Sequence, residues 1–425
     1  MARVGIFLTI IALIAGVAGC IFVRYDLTTS STEGGQVTTP GEATFTYGKG
    51  AVVDLVAEPE QGYQFVGWTG DVDTIANVNA AATTIKMNGD YSVLANFGLE
   101  VVEIRTWRDL DAIRDNLSAR YVLMNDLGPA TGGYVELASE TANQGRGWEP
   151  IGTSDDQFTG SFDGQGYEIE ELFVNRSDES YVGFFGEIGQ QAVTKNVGVM
   201  NVTVIGNDYV GGLAGHTEGS LTDCYSAGNV TGQENVGSLV GHNDGIVSNS
   251  RSSGSVTGDS RVGGLVGWNQ ATLISSYSSC SVTGNSSIGG LVGDNWYDRG
   301  TLSDSYATGS VSGGRRAGGL VGLNDYGSVT RSYSTGRVTG ESDVGGLVGY
   351  DKGTVSNCFW DVQTSGQLIS DGGTGKTTAQ MKNIATFSRA GWNVVGVANP
   401  STRNPSYTWN IVNGVTYPFL SWQAV

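Results

Sequence analysis

Residues 262–284 read VGGLVGWNQATLISSYSSCSVTG. An apolar residue, two glycines, Leu-Val-Gly, a polar turn, a strand around tyrosine and Val-Thr-Gly follow in order, and the same order recurs along the chain. Val210, Val236, Val262, Ile288, Ala317 and Val344 each open such a unit, at spacings of 26, 26, 26, 29 and 27 residues. Val182 opens a degenerate earlier one. Fixed periods in the twenties mark a repeat architecture. One unit offers about five apolar side chains, such as Val262, Leu265, Val266, Leu273 and Val282, each contributing at most ~3 kcal/mol on burial. Ordering its ~26 residues costs on the order of 1–2 kcal/mol apiece in backbone entropy. A single unit therefore cannot fold. Stacked units share strand ladders about 4.8 Å apart and one continuous core. The fold expected over 182–362 is a β-solenoid, with paired glycines where a Cβ would obstruct a neighbouring backbone.

The cores of these units, GGLAG at 211–215, GSLVG at 237–241 and four copies of GGLVG, resemble the GLUG repeat. The resemblance implies an exported bacterial surface protein and a right-handed β-helix. In some IgA-specific metallopeptidases such repeats precede the catalytic part. That zinc chemistry needs HExxH on a helix, and the two histidines, His216 and His242, lie in no such pattern.

Upstream, period-two alternation of Val53, Leu55 and Ala57 and of Tyr91, Val93, Ala95 and Phe97 predicts half-buried strands, with Tyr63, Phe65 and Trp68 as bulky core. The stretch GGQVTTPGEATFTYGKGAVVDLVAEPEQGYQFVGWTGD, 34–71, resembles the internalin B-type (Listeria–Bacteroides) repeat. That implies a small β-grasp-like module over 25–98, used as a spacer or binding unit. Asp71, Asp73, Asn77 and Asn79 suggest a calcium loop, but its fifth position falls on Ile75 and no glycine follows. A plain strand connection is the better reading.

Segment 99–181 is expected to supply a cap and the first rungs. Thr106 to Leu117 reads as an amphipathic helix with a Thr106/Asp109 capping box, a lid for the open end of the stack. Phe158 to Val174 reads as strands that begin the stack. Segment 363–425 reads as the opposite cap, with a short helix started by Thr377 and Gln380. Trp392, Tyr407, Trp409, Tyr417, Phe419 and Trp422 are expected to seal that end. GGTGKTT, 372–378, imitates a phosphate-binding loop, but Ser370 stands where the motif requires glycine, so no nucleotide is expected.

Residues 1–24 read as a targeting segment. Val4 to Val23 carry no charge between Arg3 and Arg24. The run is long enough for an anchor helix, and Val17-Ala18-Gly19-Cys20 resembles a bacterial lipobox, which would place a lipid on Cys20. Either reading exports the chain and ties it to a membrane. The net charge of −19 argues against nucleic acid. The later cysteines, Cys224, Cys280 and Cys358, fall on rungs too far apart to bridge and are expected to be free thiols.

Three columns of side chains are candidates for function. Asn243, Asn269, Asn295 and Asn324, with Thr217 and Asp351 at the ends, share one turn position and read as a hydrogen-bonded ladder. His216 and His242 share another offset, with Glu187 at the equivalent place and Glu218 and Asp244 nearby. Two imidazoles one rung apart can bind a transition metal; the preferred reading is two turn residues without a shared task, with no metal or cofactor. At or near that offset follow Trp268, Trp296 with Tyr297, Tyr326 and Tyr350. In exposed turns these aromatics would form a platform for a glycan or an extracellular protein. A catalytic carboxylate pair is not found: Asp223 and Asp304 share a column three rungs, about 14 Å, apart, and Asp294 and Asp298 fall in one inserted loop. The chain reads as a non-catalytic, membrane-anchored surface protein for adhesion or binding. The alternatives are a polysaccharide-active β-helix enzyme (lyase or glycoside hydrolase), which three or more acidic or basic groups clustered on one face would favour, and a pure spacer.

Overall fold

A computed structural model describes residues 23–297 and 299–423. Cys20, the rest of the apolar run before Val23, and Asp298 lie outside the described residues. The chain forms two compact units, one ending at Glu100 and one beginning at Val101.

Among the described residues, the first unit holds seven strands: β1 Arg24–Ser31, β2 Gly35–Thr39, β3 Thr44–Gly48, β4 Val52–Pro59, β5 Tyr63–Gly70, β6 Ala82–Lys86 and β7 Tyr91–Leu99. Strands β3-β1-β7-β5 form one sheet in which β1 and β7 run parallel at the centre. Strands β2-β4-β6 form an antiparallel second sheet. One core joins the two, built on Leu27, Leu55, Trp68, Ile85 and Val93. The alternation is observed directly, since Val53, Leu55 and Ala57 point inward while Val52 is exposed. Of the three bulky residues expected inside, Trp68 is buried, whereas Tyr63 and Phe65 are half-buried. In the acidic connection, Asp71 accepts from the Ser92 amide and Asn77 from the Asn79 amide.

The second unit is the β-solenoid. Parallel ladders run its length in ten-, seventeen- and seven-stranded sheets. Val182, Val210, Val236, Val262, Ile288, Ala317 and Val344 pair in register from rung to rung. Leu221, Val247, Leu273, Leu302 and Val329 make a second such file. All five of these are essentially inaccessible, so the apolar period is the core. The paired glycines answer to crowding and not to backbone conformation: a Cβ on Gly263 would stand 1.9 Å from the Val266 carbonyl oxygen, and one on Gly264 2.1 Å from that of Gly290.

The stack begins earlier than expected. Strands Val101–Ile104 and Arg120–Leu123 already pair in parallel with each other, and the second pairs with Ser161–Asp163. The lid helix is shorter than its periodicity, an α-helix over Trp107–Asp111 that tightens to a 3-10 turn over Ala112–Asp115, with the Thr106/Asp109 capping box formed. Trp107, Leu110 and Ile113 are fully buried in the solenoid core with Trp148, Phe158 and Phe184.

At the other end the stack runs past Val362. The GGTGKTT segment supplies the strand Thr374–Lys376, paired with Phe359–Asp361, before Thr377 and Gln380 cap the helix Thr378–Met381. The terminal aromatics do not seal the end. They fold back along the flank, over a stack of Tyr277, Tyr306 and Tyr333 at 4.9 Å spacings. The indole N–H of Trp422 donates to Ser275, that of Trp392 to Asn357 and that of Trp409 to Asp304. Tyrosines on successive rungs offer a flat apolar flank, and the last residues of the chain cover it.

Candidate functional site

Each rung contains a corner turned by one non-glycine residue in the left-handed region. Tyr181, Tyr209, Asn235, Arg261, Ser287, Arg316 and Asp343 hold φ between 51° and 62° there. Each such φ costs about 1 kcal/mol or more and aims its side chain at the neighbouring edge. On that edge, ladder pairing sets Glu187, His216, His242, Trp268, Asp294, Leu323 and Tyr350 in one column.

This column corrects the sequence reading at two rungs. Asp294 and Leu323 take the places expected for Trp296 with Tyr297 and for Tyr326. The lengthened units gain their extra residues after Asn295 and Asn324, so Trp296 ends its strand, paired with Asp325, and Tyr297 and Tyr326 follow in longer turns just beyond the asparagine ladder. Asp294 is thus a strand residue at 1% exposure and not part of an inserted loop. The edge is also not uniformly exposed. His216 and His242 are buried, Trp268, Trp296 and Tyr350 are half-buried, and Tyr297 and Tyr326 stand 57% and 62% exposed.

The aromatics nevertheless form one file. His216 stacks on His242 at 4.8 Å and His242 on Trp268 at 4.3 Å. Trp268 meets Trp296 edge-on at 5.9 Å, Trp296 meets Tyr297 at 5.7 Å, and Tyr297 meets Tyr326 at 6.4 Å. The corner column adds rings and cations that sequence spacing did not single out. Tyr181 and Tyr209 stack at 4.7 Å beside the histidines. Arg261 lies over Trp268 and Arg316 over Tyr350, and Lys352 is 5.8 Å from both Tyr326 and Tyr350. Tyr181, Tyr209, Arg261 and Arg316 each stand immediately before a unit's apolar opener, whereas Lys352 follows the ladder residue Asp351.

The histidine end is a polar cluster. His216 Nδ1 is 3.4 Å from Glu187 Oε2 and its Nε2 is 3.2 Å from Asp244 Oδ2. Gln157 donates to Glu187 and Glu218. Burial pulls the His216 pKa down, but the bonds to Asp244 and Glu187 outweigh it and leave it raised. Burial likewise opposes charge on Asp244, and the two histidines still hold its pKa down. His242 has no such bonds, so burial lowers its pKa to about 4, with His216 and Arg261 adding to the fall against Asp244. Farther along, burial and the nearby Asp325 push Asp294 up to about 7 against Arg261. Among the described residues, four buried polar atoms in this column have no hydrogen-bond partner: Glu187 Oε1, His242 Nε2, Trp268 Nε1 and Asp294 Oδ1.

The other candidate chemistry is structural. Amides of Asn243, Asn269, Asn295 and Asn324 each donate to the next member, ending on Asp351, at 2.7–2.8 Å. Asp304 is buried against Arg331. Cys224, Cys280 and Cys358 are free and buried.

Comparison with known proteins names the two parts. Residues 25–100 match the divergent InlB B-repeat domain. Residues 206–231, 232–257, 284–312 and 313–339 match the GLUG motif. Four of the solenoid's units are GLUG motifs. The unit from 258 to 283, which carries Trp268, falls between matched GLUG segments yet keeps their register. Halomucin of Haloquadratum walsbyi is 38% identical over 135 residues, 30% of this chain and 1% of that protein. A provisionally named Gly-rich membrane protein of Evansella cellulosilytica is 34% identical over 123 residues, 28% of this chain and 13% of that protein. The chain thus spans a small part of either relative. A Bacteroides ovatus protein provisionally named an immunoglobulin A1 protease superposes with a TM-score of 0.48 at 19% identity, over 76% of this chain and 92% of that one. At that score and identity the likeness assigns no activity. Among the described residues, no helix is long and apolar enough to cross a membrane.

Proposed function

We propose that this is an exported surface protein that binds an extended glycan along the aromatic edge of its GLUG solenoid, without catalysis. The observation that carries the reading is the file from Trp268 through Trp296 and Tyr297 to Tyr326, whose exposed end presents flat rings at rung-scale spacing. Aromatic faces with a polar surround suit a polymer with alternating apolar and hydroxylated surfaces. Lys352, ion-paired to Asp325 at 3.0 Å, lies beside Tyr326, and Arg316 lies over Tyr350, so polar groups that can hydrogen-bond sugar hydroxyls border the rings. The surface assignment draws on the GLUG repeats and on relatives named a halomucin and a membrane protein. Attachment would run through Cys20 or the apolar run that contains it.

A second reading, a polysaccharide-active enzyme, draws on the clustered Glu187, Glu218 and Asp244 beside two histidines. Against it, Glu187 and Asp244 are both engaged by His216, and Glu218 by Gln157. A screen of the full chain against polysaccharides and extracellular proteins separates the readings. Retention of a glycan with no chain shortening or unsaturated product supports binding; product formation supports the enzyme and removes the first reading.

A further inference from the structure

We propose that His216, His242 and Asp244 form a site for one divalent transition-metal ion of the zinc class. The chain has two histidines, and the solenoid sets them on adjacent rungs in one column. Their ring nitrogens and a carboxylate oxygen of Asp244 all lie within 4.8 Å of one another. A tetrahedral ion with bonds of 2.0–2.1 Å holds its ligand atoms about 3.3 Å apart. Asp244 Oδ2 already stands 3.2 Å from His216 Nε2 and 3.3 Å from His242 Nε2. Only the gap between the two imidazole nitrogens has to close, by rotation of rings the rung spacing keeps parallel.

A second observation points to a ligand. His242 Nε2 is buried and, although Asp244 is near, the two are not aligned for a hydrogen bond, so this nitrogen has no partner. A buried acceptor left unpaired is costly, by about 1–3 kcal/mol, and an ion at the convergence point would satisfy it. Glu187 faces the far nitrogen of His216. A carboxylate behind a ligating histidine fixes the tautomer that presents Nε2 to a metal, and Gln157 holds that carboxylate in turn. Asp244 is the most exposed of the three ligands, which leaves a path from solvent and a coordination position for water or an added group. Two nitrogens with one oxygen favour zinc, cobalt, nickel or copper over calcium or magnesium, which take oxygen ligands.

The test is a Co2+ titration of the full chain, prepared without a histidine tag and followed by visible absorption, with Zn2+ as competitor. One equivalent of Co2+ should bind and be displaced by Zn2+, while Mg2+ has no effect. His242→Gln and Asp244→Asn should each weaken binding at least tenfold. Wild-type NMR gives a readout independent of folding in the variants: Co2+ should selectively perturb the two histidine ring signals. Absence of stoichiometric binding, undiminished affinity in folded variants, or perturbation confined to other residues would overturn the site.

Discussion

The imidazoles of His216 and His242 stack at 4.8 Å with 20° between their planes, yet their surroundings drive their protonation in opposite directions. His216 is bonded at both nitrogens by carboxylates, so its folded pKa lies above the ordinary 6.5. The stability this contributes is present below the ordinary value and is lost as pH rises through the folded one. His242 behaves oppositely. With a folded pKa of about 4 it resists protonation, and its contribution is lost as pH falls from about 6.5 toward 4. An NMR titration of metal-free protein should show one histidine titrating near pH 4 and the other above 6.5; coincident curves would contradict the cluster geometry.

Asn295 sits mid-ladder, accepting from Asn269 and donating to Asn324. Asn295→Ala removes both bonds and strands buried amide groups on each side, a loss of about 2–4 kcal/mol. Urea unfolding should show a clearly lowered midpoint. A midpoint unchanged from wild type would mean the ladder contributes nothing.

Gly263 and Gly48 have opposite surroundings. Gly263→Ala forces a Cβ against the Val266 carbonyl inside the stack, whereas a Cβ at Gly48 meets nothing within 4 Å. Gly263→Ala should lower the melting temperature sharply or prevent soluble expression, with Gly48→Ala close to wild type. Equal behaviour of the two would contradict the close-packed corner.

The thiols of Cys224 and Cys358 are pushed up to about 12 by burial, and burial also raises that of Cys280. All three should resist alkylation in the native protein and label fully, without reductant, in denaturant, as read by peptide mass spectrometry. A disulfide-linked pair among them would break the rung assignment.

The repeat was legible because one residue of each unit, the apolar opener, recurs at every rung and is fully buried from Val182 to Ala317, with Val344 partly buried at the last. The asparagine ladder was legible for the same reason. Less could be read where units differ in length. Trp296 and Tyr326 lie within a few residues of the histidine offset, but the extra residues follow the ladder, so Asp294 and Leu323 hold the column instead. The corner column of Tyr181, Tyr209 and Arg261 was missed because left-handed φ in non-glycine residues has no compositional mark. The flank covered by Trp392, Trp409 and Trp422 was mistaken for an end, since aromatic density says that something is covered but not which surface.

The measurement closest to the central claim is a side-by-side polysaccharide retention screen of the wild-type chain and a Trp296→Ala, Tyr297→Ala, Tyr326→Ala variant. Tyr297 and Tyr326 are exposed, and Trp296 is a half-buried residue at the end of its strand, so the variant should stay folded with at most a small fall in melting temperature. The aromatic-edge account predicts that the wild type is retained by at least one glycan and that the folded variant loses that retention by tenfold or more. Retention of the folded variant equal to that of the wild type would contradict it.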